Sequence, residues 1–354
     1  MREFSRNSTR IRNGSPAPMI PMRCAVLRRA AADSFHLTRL GPAPSVVWMR
    51  IRVLGSSAGG GFPQWNCGCA NCQGVRRGTI AARARTQESI AVSADGDHWF
   101  LLNASPEIRS QIESFAGLHP RAPRHTPLAG ILITNGDMDH CLGLLSLRES
   151  QRLEIYATEA VQRGFVEGNS LYATLERFPG QATWRTLALG REQDLLLPGG
   201  APSGLVVEAV AVPGQPPLHL RNRVEPGPED NVGFRIHDRR TGATLAYLSG
   251  VASLNAAVRR LLESARCIFL DGTFWSSDEL IVLGLGERRA EDMAHWPIGG
   301  PNGSLETLEA IRAPHRYFIH INNTNPILRE DSPERAAIEA AGWRAAHDGL
   351  ELEI

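Results

Sequence analysis

The sequence predicts an α/β (α+β) protein built from two sheets wrapped in helices, and three observations lead there. Short apolar runs recur along the chain and end in polar strings; at about four to eight residues they suit buried strands better than helices. Two pairs of strand-like runs flank the turn dipeptides Asp95-Gly96 and Thr241-Gly242, which reads as two hairpins. Between such runs lie segments with apolar residues at helical spacing, of which residues 141–148 are the clearest. A chain of 354 residues, 42% of them hydrophobic, can bury a large core, and one domain is expected rather than two.

In chain order, residues 1–48 are Arg-rich and acid-poor, with scattered Pro and no sustained period. They are expected to form a poorly structured extension. No continuous apolar centre of about 7 to 15 residues marks a secretory signal there. Met49 directly precedes the strand-like Arg50-Ile51-Arg52-Val53-Leu54, so Met49 is the expected natural start and residues 49–354 the folded domain. The first strand runs into Gly55-Ser56-Ser57-Ala58-Gly59-Gly60-Gly61, where glycine permits approaches that a side chain would block. A phosphate loop would continue with Lys-Ser or Lys-Thr, whereas Phe62-Pro63-Gln64-Trp65 follows. Residues 89–93 and 98–103 form the first predicted hairpin.

Residues 128–134 read as a strand buried on both faces. It ends at Asn135-Gly136-Asp137-Met138-Asp139-His140, so acids and a histidine sit where a buried strand hands over to a helix, a place where α/β architectures put their chemistry. Residues 205–212 are the next strand, 232–236 and 244–248 the second hairpin, and 267–270 an apolar strand ending at Asp271-Gly272-Thr273. Residues 317–321 place His320 at one more strand end. The sequence shows no internal repeat.

With 38 Lys and Arg against 37 Asp and Glu, the net charge of +1 argues against a nucleic-acid partner. No apolar run approaches the roughly 18 residues of a spanning helix, so membrane insertion is not expected and a small or peptide-derived ligand is. Three of the six cysteines crowd into Cys67-Gly68-Cys69-Ala70-Asn71-Cys72, a metal-binding spacing suited to a reducing compartment, which predicts a cytoplasmic protein. Zinc is the natural occupant of three thiolates on a tight turn, and such a site contributes directly to folding. The bland alternative is three incidental cysteines. Cys24, Cys141 and Cys267 each stand alone and read as packing residues. Spacing does not reveal a fourth zinc ligand; Asn323, through its side-chain oxygen, is the candidate.

Asp139 and His140 join Asp137 and, far downstream, Asp271, His295 and His320 in a set of carboxylates and imidazoles suited to a first-row metal. His36, His98, His119, His125, His237, His315 and His347 read as ordinary surface or core histidines. His140 and His320 differ because each closes a buried strand inside a dense polar string.

Several long strings resemble the PQQ (pyrroloquinoline quinone) biosynthesis protein B family. They are residues 55–67, Ala84-Arg85-Thr86-Gln87, Asn103-Ala104-Ser105-Pro106, Asp139-His140, Gly143-Leu144-Leu145-Ser146-Leu147-Arg148-Glu149 and His320-Ile321-Asn322-Asn323-Thr324-Asn325-Pro326. The resemblance runs from Met49 essentially to Ile354. It implies a metallo-β-lactamase fold, an αββα sandwich of two mixed sheets flanked by helices with the metal at one edge of both. Hydrolases of that superfamily carry His-x-His-x-Asp-His, but the two leading positions here are Asn135 and Asp137. The superfamily's bridging carboxylate would fall near Tyr247-Leu248-Ser249-Gly250, where this chain has Gly250. The two-metal hydrolytic site therefore reads as dismantled.

What remains is Asp139, His140 and His320, two histidines and a carboxylate with open positions, the set used by non-haem iron(II) oxygenases. The leading expectation is iron(II)-dependent hydroxylation of a tyrosine-derived PQQ precursor. His295 and Asp271 would orient the ligands or give acid/base help, and Asp137 would be an extra ligand or tune charge. A second expectation is a binding or carrier protein assisting transfer of PQQ or its precursor to the periplasm. Arg83, Arg85, Arg109 and Arg148 would then be partners for the ligand's carboxylates, with ordinary surface ion pairs the alternative. A zinc hydrolase ranks third, because the superfamily's leading histidines are missing. Other proteins of the pathway follow as partners from the resemblance alone.

Overall fold

Side-chain alternation sorts the strands into layers. In β1 (Arg50–Gly55) Ile51 and Val53 face one core and Leu54 another. In β2 (Ser89–Ser93) Ile90 and Val92 divide from Ala91 in the same way, and in β3 (Trp99–Leu102) Phe100 and Leu102 divide from Trp99 and Leu101. This is the period of two that a pleated strand imposes. The structure, a computed structural model, describes residues 48–167 and 169–354, which fall within one unit, Val46–Ile354. The expected extension, with Cys24 and His36, lies outside the described residues apart from Trp48.

The remaining strands of the first sheet are β4 (Leu128–Leu132), β5 (Leu153–Ala157) and β6 (Ala182–Thr186). The second sheet holds β7 (Glu192–Leu196), β8 (Pro202–Ala211), β9 (Val232–Asp238), β10 (Thr244–Leu248), β11 (Cys267–Asp271), β12 (His315–Ile319) and β13 (Arg344–Ala345). The last strand, β14 (Glu351–Glu353), returns to pair with β1. Among the described residues each sheet has seven strands, in the orders β14-β1-β2-β3-β4-β5-β6 and β13-β12-β11-β10-β9-β8-β7. In each sheet, three antiparallel pairings at one end give way to three parallel ones at the other. The two sheets thus repeat one topology, although the sequence shows no repeat.

One core lies between the sheets, where Val92 and Phe100 meet residues such as Phe234, Leu245, Phe269 and Ile319. Two outer cores bury the far faces under helices. Asn255 caps the helix Ala256–Ser264 by accepting from Val258 N at 2.7 Å, and Val258, Leu261 and Leu262 then align on one face over Leu248 and Ile268. Thr158 caps Glu159–Val166 likewise and sets Val161 and Phe165 against the first sheet. The result is an αββα sandwich. Both predicted hairpins are present, with Gly96 and Gly242 at positive φ in their turns.

Boundaries differ in ways that matter for the site. The helix expected over residues 141–148 starts earlier and comes in two pieces, Met138–Cys141 and Gly143–Ser146. Ala104 crosses there, donating to His140 O at 2.7 Å and accepting from Gly143 N at 2.9 Å. A Cβ on Gly143 would lie 2.2 Å from Ser105 O, so only glycine allows that crossing. The strand expected over 317–321 ends at Ile319, which leaves His320 just beyond it.

Candidate metal centres

The ends of β1, β3, β4, β10, β11 and β12 meet at one edge of both sheets, and the polar strings that follow them converge. Asp139 and His140 arrive on the helix after β4, Asp271 ends β11, and His320 follows β12. Asp139 Oδ2 lies 3.1 Å from His320 Nε2 and 3.7 Å from His140 Nε2. Donors bound to one first-row ion at about 2.1 Å sit at about such separations. His140 Nε2 is buried without a hydrogen-bond partner, as an atom reserved for a cation would be. The donor set and this orphaned nitrogen fit a metal. Asp271, His295 and His320 form an overlapping group, their ligand atoms within 4.8 Å of one another.

Each histidine is held by a threonine. Thr134 Oγ1 donates to Asn103 Oδ1 at 3.0 Å and so accepts from His140 Nδ1 at 3.1 Å. Thr273 Oγ1 has the buried Asp271 carboxylate at 2.6 Å and the His320 carbonyl at 2.9 Å as acceptors, and so accepts from His320 Nδ1 at 2.8 Å. In both rings the proton is fixed on Nδ1 and Nε2 is turned to the cluster. Asp271 Oδ2 also pairs with His295 Nδ1 at 2.7 Å, and the His295 ring stacks over His320 at 5.4 Å. His320 and Ala294 both have positive φ, 57° and 65°, backbone strain gathered beside the cluster.

Burial pushes His140 down to about 4, which keeps its imidazole neutral and able to ligate. For Asp139 burial would act upward, but His140 and His320 outweigh it and hold the carboxyl well below the usual range. Burial would lower His320, yet the Asp139 hydrogen bond and nearby carboxylates push it up to about 9. The Asp139–His320 pair is therefore charged, and a bound cation would take the place of the His320 proton. Glu88, fully buried beneath the cluster with Oε2 3.9 Å from His140 Nε2, is pushed by burial up to about 8. Asn103 Nδ2 donates to it at 3.0 Å. The sequence assigned no role to Glu88, Asn103, Thr134 or Thr273, although Asn103 and Thr273 stand in its quoted strings, because none carries a ligand spacing; only their places at strand ends marked them.

The glycine loop after β1 closes over Asp139. Ala58 N donates to Ile321 O at 2.9 Å, tying the loop to the segment that bears His320. A Cβ on Gly59 would lie 3.1 Å from Asp139 Oδ2.

Cys67, Cys69 and Cys72 form the second cluster, their sulfurs within 4.8 Å of one another. Cys69 caps the helix Ala70–Arg77, which brings Cys72 round by one turn. Asn323 reaches all three sulfurs, at 3.2, 3.7 and 3.3 Å, but with Nδ2 rather than the expected oxygen. Asn71 Nδ2 donates to the carbonyls of Asn323, Thr324 and Asn325 at 3.2, 3.1 and 3.2 Å. One string, residues 320–325, thus joins the two clusters.

A cavity of about 240 Å³ opens on the first cluster, lined by Asp137, Asp139, His140, His295 and His320 among others. Asp137 faces this cavity but lies outside both donor groups. Asn135 and Gly250, two of the three departures from the superfamily pattern, are neighbours here: a Cβ on Gly250 would lie 4.0 Å from Asn135 Nδ2. The four expected arginines are elsewhere. Arg83 pairs with Glu330 at 3.2 Å, Arg148 with Glu149 at 3.6 Å, Arg109 is exposed, and Arg85 is buried against Ser56 and the Ala346 carbonyl. They stem from other elements, and among the described residues the arginine that lines the cavity is Arg221.

The geometry agrees with comparisons to known proteins. The Beta-lactamase superfamily domain matches residues 98–321. Coenzyme PQQ synthesis protein B of Azotobacter vinelandii is 43% identical over 307 residues, covering 86% of this chain and all of the relative. That of Methylobacillus flagellatus is 43% identical over 313 residues, covering 86% and 99%. The crystal structure of Zn2+-bound PqqB from Methylobacterium extorquens superposes with a TM-score of 0.80 at 41% identity, covering 86% of this chain and all of that one. A diphosphatase of the PhnP family, 22% identical with a TM-score of 0.59 over 86% and 97% of the two chains, shares the fold. With its sandwich, its edge cluster and relatives of this identity and coverage, the chain belongs to the coenzyme PQQ synthesis protein B family of the β-lactamase superfamily.

Proposed function

We propose that this protein is an iron(II)-dependent oxygenase that hydroxylates a tyrosine-derived precursor of PQQ, with zinc in the cysteine cluster. The observation that carries the reading is the convergence of Asp139 Oδ2, His140 Nε2 and His320 Nε2, His140 Nε2 without a hydrogen-bond partner, beside the place where Asn135 and Gly250 stand instead of superfamily ligands. Three protein donors leave coordination positions open for dioxygen and substrate. When bound, the iron supplies dioxygen activation.

The chain's own residues do the rest. Asp139, His140 and His320 hold the ion; Thr134 and Thr273 keep both Nε2 atoms aimed at it. His295, held by Asp271 through Nδ1, presents Nε2 as the group that moves a proton to or from the substrate hydroxyl. Asp137 tunes the charge of the cavity. Cys67, Cys69 and Cys72 hold the zinc, and Asn323 becomes its fourth ligand only with the amide turned to offer its oxygen, since an amide nitrogen does not bind a cation. The zinc-bound relative supports a metal on this scaffold.

Hydroxylation puts one oxygen atom of dioxygen on the ring and releases the other as water, with two electrons and two protons from an added reductant. The test is oxygen uptake by protein made anaerobically, loaded with iron(II), and given tyrosine-like or dihydroxyphenyl precursors with ascorbate. Uptake with a gain of one oxygen atom, lost in Asp139→Ala, is expected. No uptake with any candidate, alongside tight PQQ binding, would overturn the oxygenase reading in favour of a carrier.

A further inference from the structure

We infer that Arg221 is the carboxylate anchor of the cavity, so that the ligand is an amino-acid-like molecule with its carboxylate on Arg221 and its uncharged ring towards Asp139, His140 and His320. The inference deepens the proposed function and rests on it for the identity of the ring.

Arg221 sits in the turn that crosses the cavity between β8 and β9, with Leu220 N bonded to Pro217 O at 2.8 Å and Arg223 N to Leu220 O at 2.7 Å. Pro217 packs over Gly136, next to Asp137, where a glycine Cβ would meet it at 3.0 Å. Arg221 Nε is buried and has no hydrogen-bond partner, and among the described residues no carboxylate pairs with its guanidinium. Among the described residues three other arginines have a buried, unpartnered Nε, but each has its charged end engaged. Arg52 pairs with Glu351, Arg85 bonds Ser56 and the Ala346 carbonyl, and Arg316 donates to Ile311 O at 2.9 Å. Arg221 differs in that it lines the cavity of the metal cluster and, among the described residues, no acceptor engages its guanidinium.

A guanidinium stays charged at any ordinary pH, and a buried donor without an acceptor is costly. The acceptor that suits the two Nη groups is a carboxylate, bound through two parallel bonds. The rest of the wall fits the same orientation. Arg221 is the one guanidinium or ammonium group among the described residues that line the cavity, so it is where a ligand carboxylate not bound to the ion is stabilised. Asn135, Gln215 and Asn231, also on the wall, add amides that hydrogen-bond neutral or cationic groups of the ligand.

The test is calorimetric binding to zinc-loaded protein, in which no oxygen chemistry runs. The ligands are 3,4-dihydroxyphenylalanine and dopamine, which share a ring and an amine and differ in the carboxylate. The wild-type protein should bind the carboxylate-bearing ligand about ten- to a hundredfold more tightly. Arg221→Gln should abolish that preference while leaving dopamine affinity unchanged, and Arg221→Lys should keep part of it. Equal affinities in the wild type, or a preference that survives Arg221→Gln, would overturn the inference. Because the measurement needs neither iron nor oxygen, absence of hydroxylation would count against the proposed function and leave this result standing.

Discussion

Thr273 Oγ1 lies 2.8 Å from Nδ1 of His320. That bond, backed by the Asp271 carboxylate 2.6 Å away on the other side of the hydroxyl, fixes which nitrogen of the ring is free to ligate. Outer partners of this kind typically contribute about ten- to a hundredfold in metal affinity. Thr273→Val should therefore weaken active-site metal binding by about that factor in a chelator competition, and Thr273→Ser should restore most of it. Thr134→Val should act in the same direction through His140. Unchanged affinity in both valine variants would show that the rings are positioned by packing alone.

The string from His320 to Asn325 links the clusters in one direction. Asn323 closes on the three sulfurs and Asn71 clasps the following carbonyls, so the cysteine cluster sets the path of the loop that carries His320. Asp139, by contrast, bonds to His320 and shares no donor group with the cysteines. Asp139→Ala should abolish binding at the active site and leave the cysteine metal in place. Cys72→Ser should lose both. Elemental analysis of the two purified variants decides it, and a Cys72→Ser protein that keeps a full active-site complement would refute the coupling.

The resemblance of the motif strings named the fold. The strings at the ends of β4, β11 and β12 showed where chemistry would gather, because acids and histidines at the end of a buried strand are costly unless a cation or a partner compensates them. What stayed hidden follows from the same physics. β6 and β7 lie at sheet edges with nearly all their side chains only half-buried, so they carry no apolar run, and β14 is only three residues long. The threonines behind the histidines were invisible because a hydroxyl that orients a ring has no ligand spacing of its own. The arginine of the cavity was missed for a different reason. Its position comes from a turn between strands far from the metal strings, and only folding brings it over them.

Glu279 gives the fold a pH dependence. Its carboxyl is buried, accepting from Trp275 N at 2.6 Å and from the Thr324 hydroxyl, and burial pushes it from an ordinary 4.5 up to about 7. A raised native pKa means that the folded protein holds the proton longer than the unfolded chain. The stability linked to this group is full below about pH 4.5 and is lost as pH rises to about 7. At roughly 1.4 kcal/mol per unit the loss approaches about 3 kcal/mol. Glu279→Gln, which cannot ionise, should flatten the fall in melting temperature between those pH values. An unchanged slope in the variant would locate the titration elsewhere.

The vacated half of the superfamily site is open to reconstruction. Gly250 meets only Asn135 Nδ2 within 4 Å of a built Cβ, and its φ lies outside the range that demands glycine, so an aspartate there is sterically permitted. Asn135 and Asp137 occupy the two positions where hydrolases of this fold carry histidines, and both line the same cavity. The triple variant Asn135→His, Asp137→His, Gly250→Asp would then present two imidazoles and a carboxylate to a second ion beside the first, a donor set suited to zinc. It should bind one more equivalent of zinc than the wild type under the same dialysis. A stoichiometry equal to the wild type's would mean that the backbone at this edge, and not only its side chains, has moved away from a two-metal site.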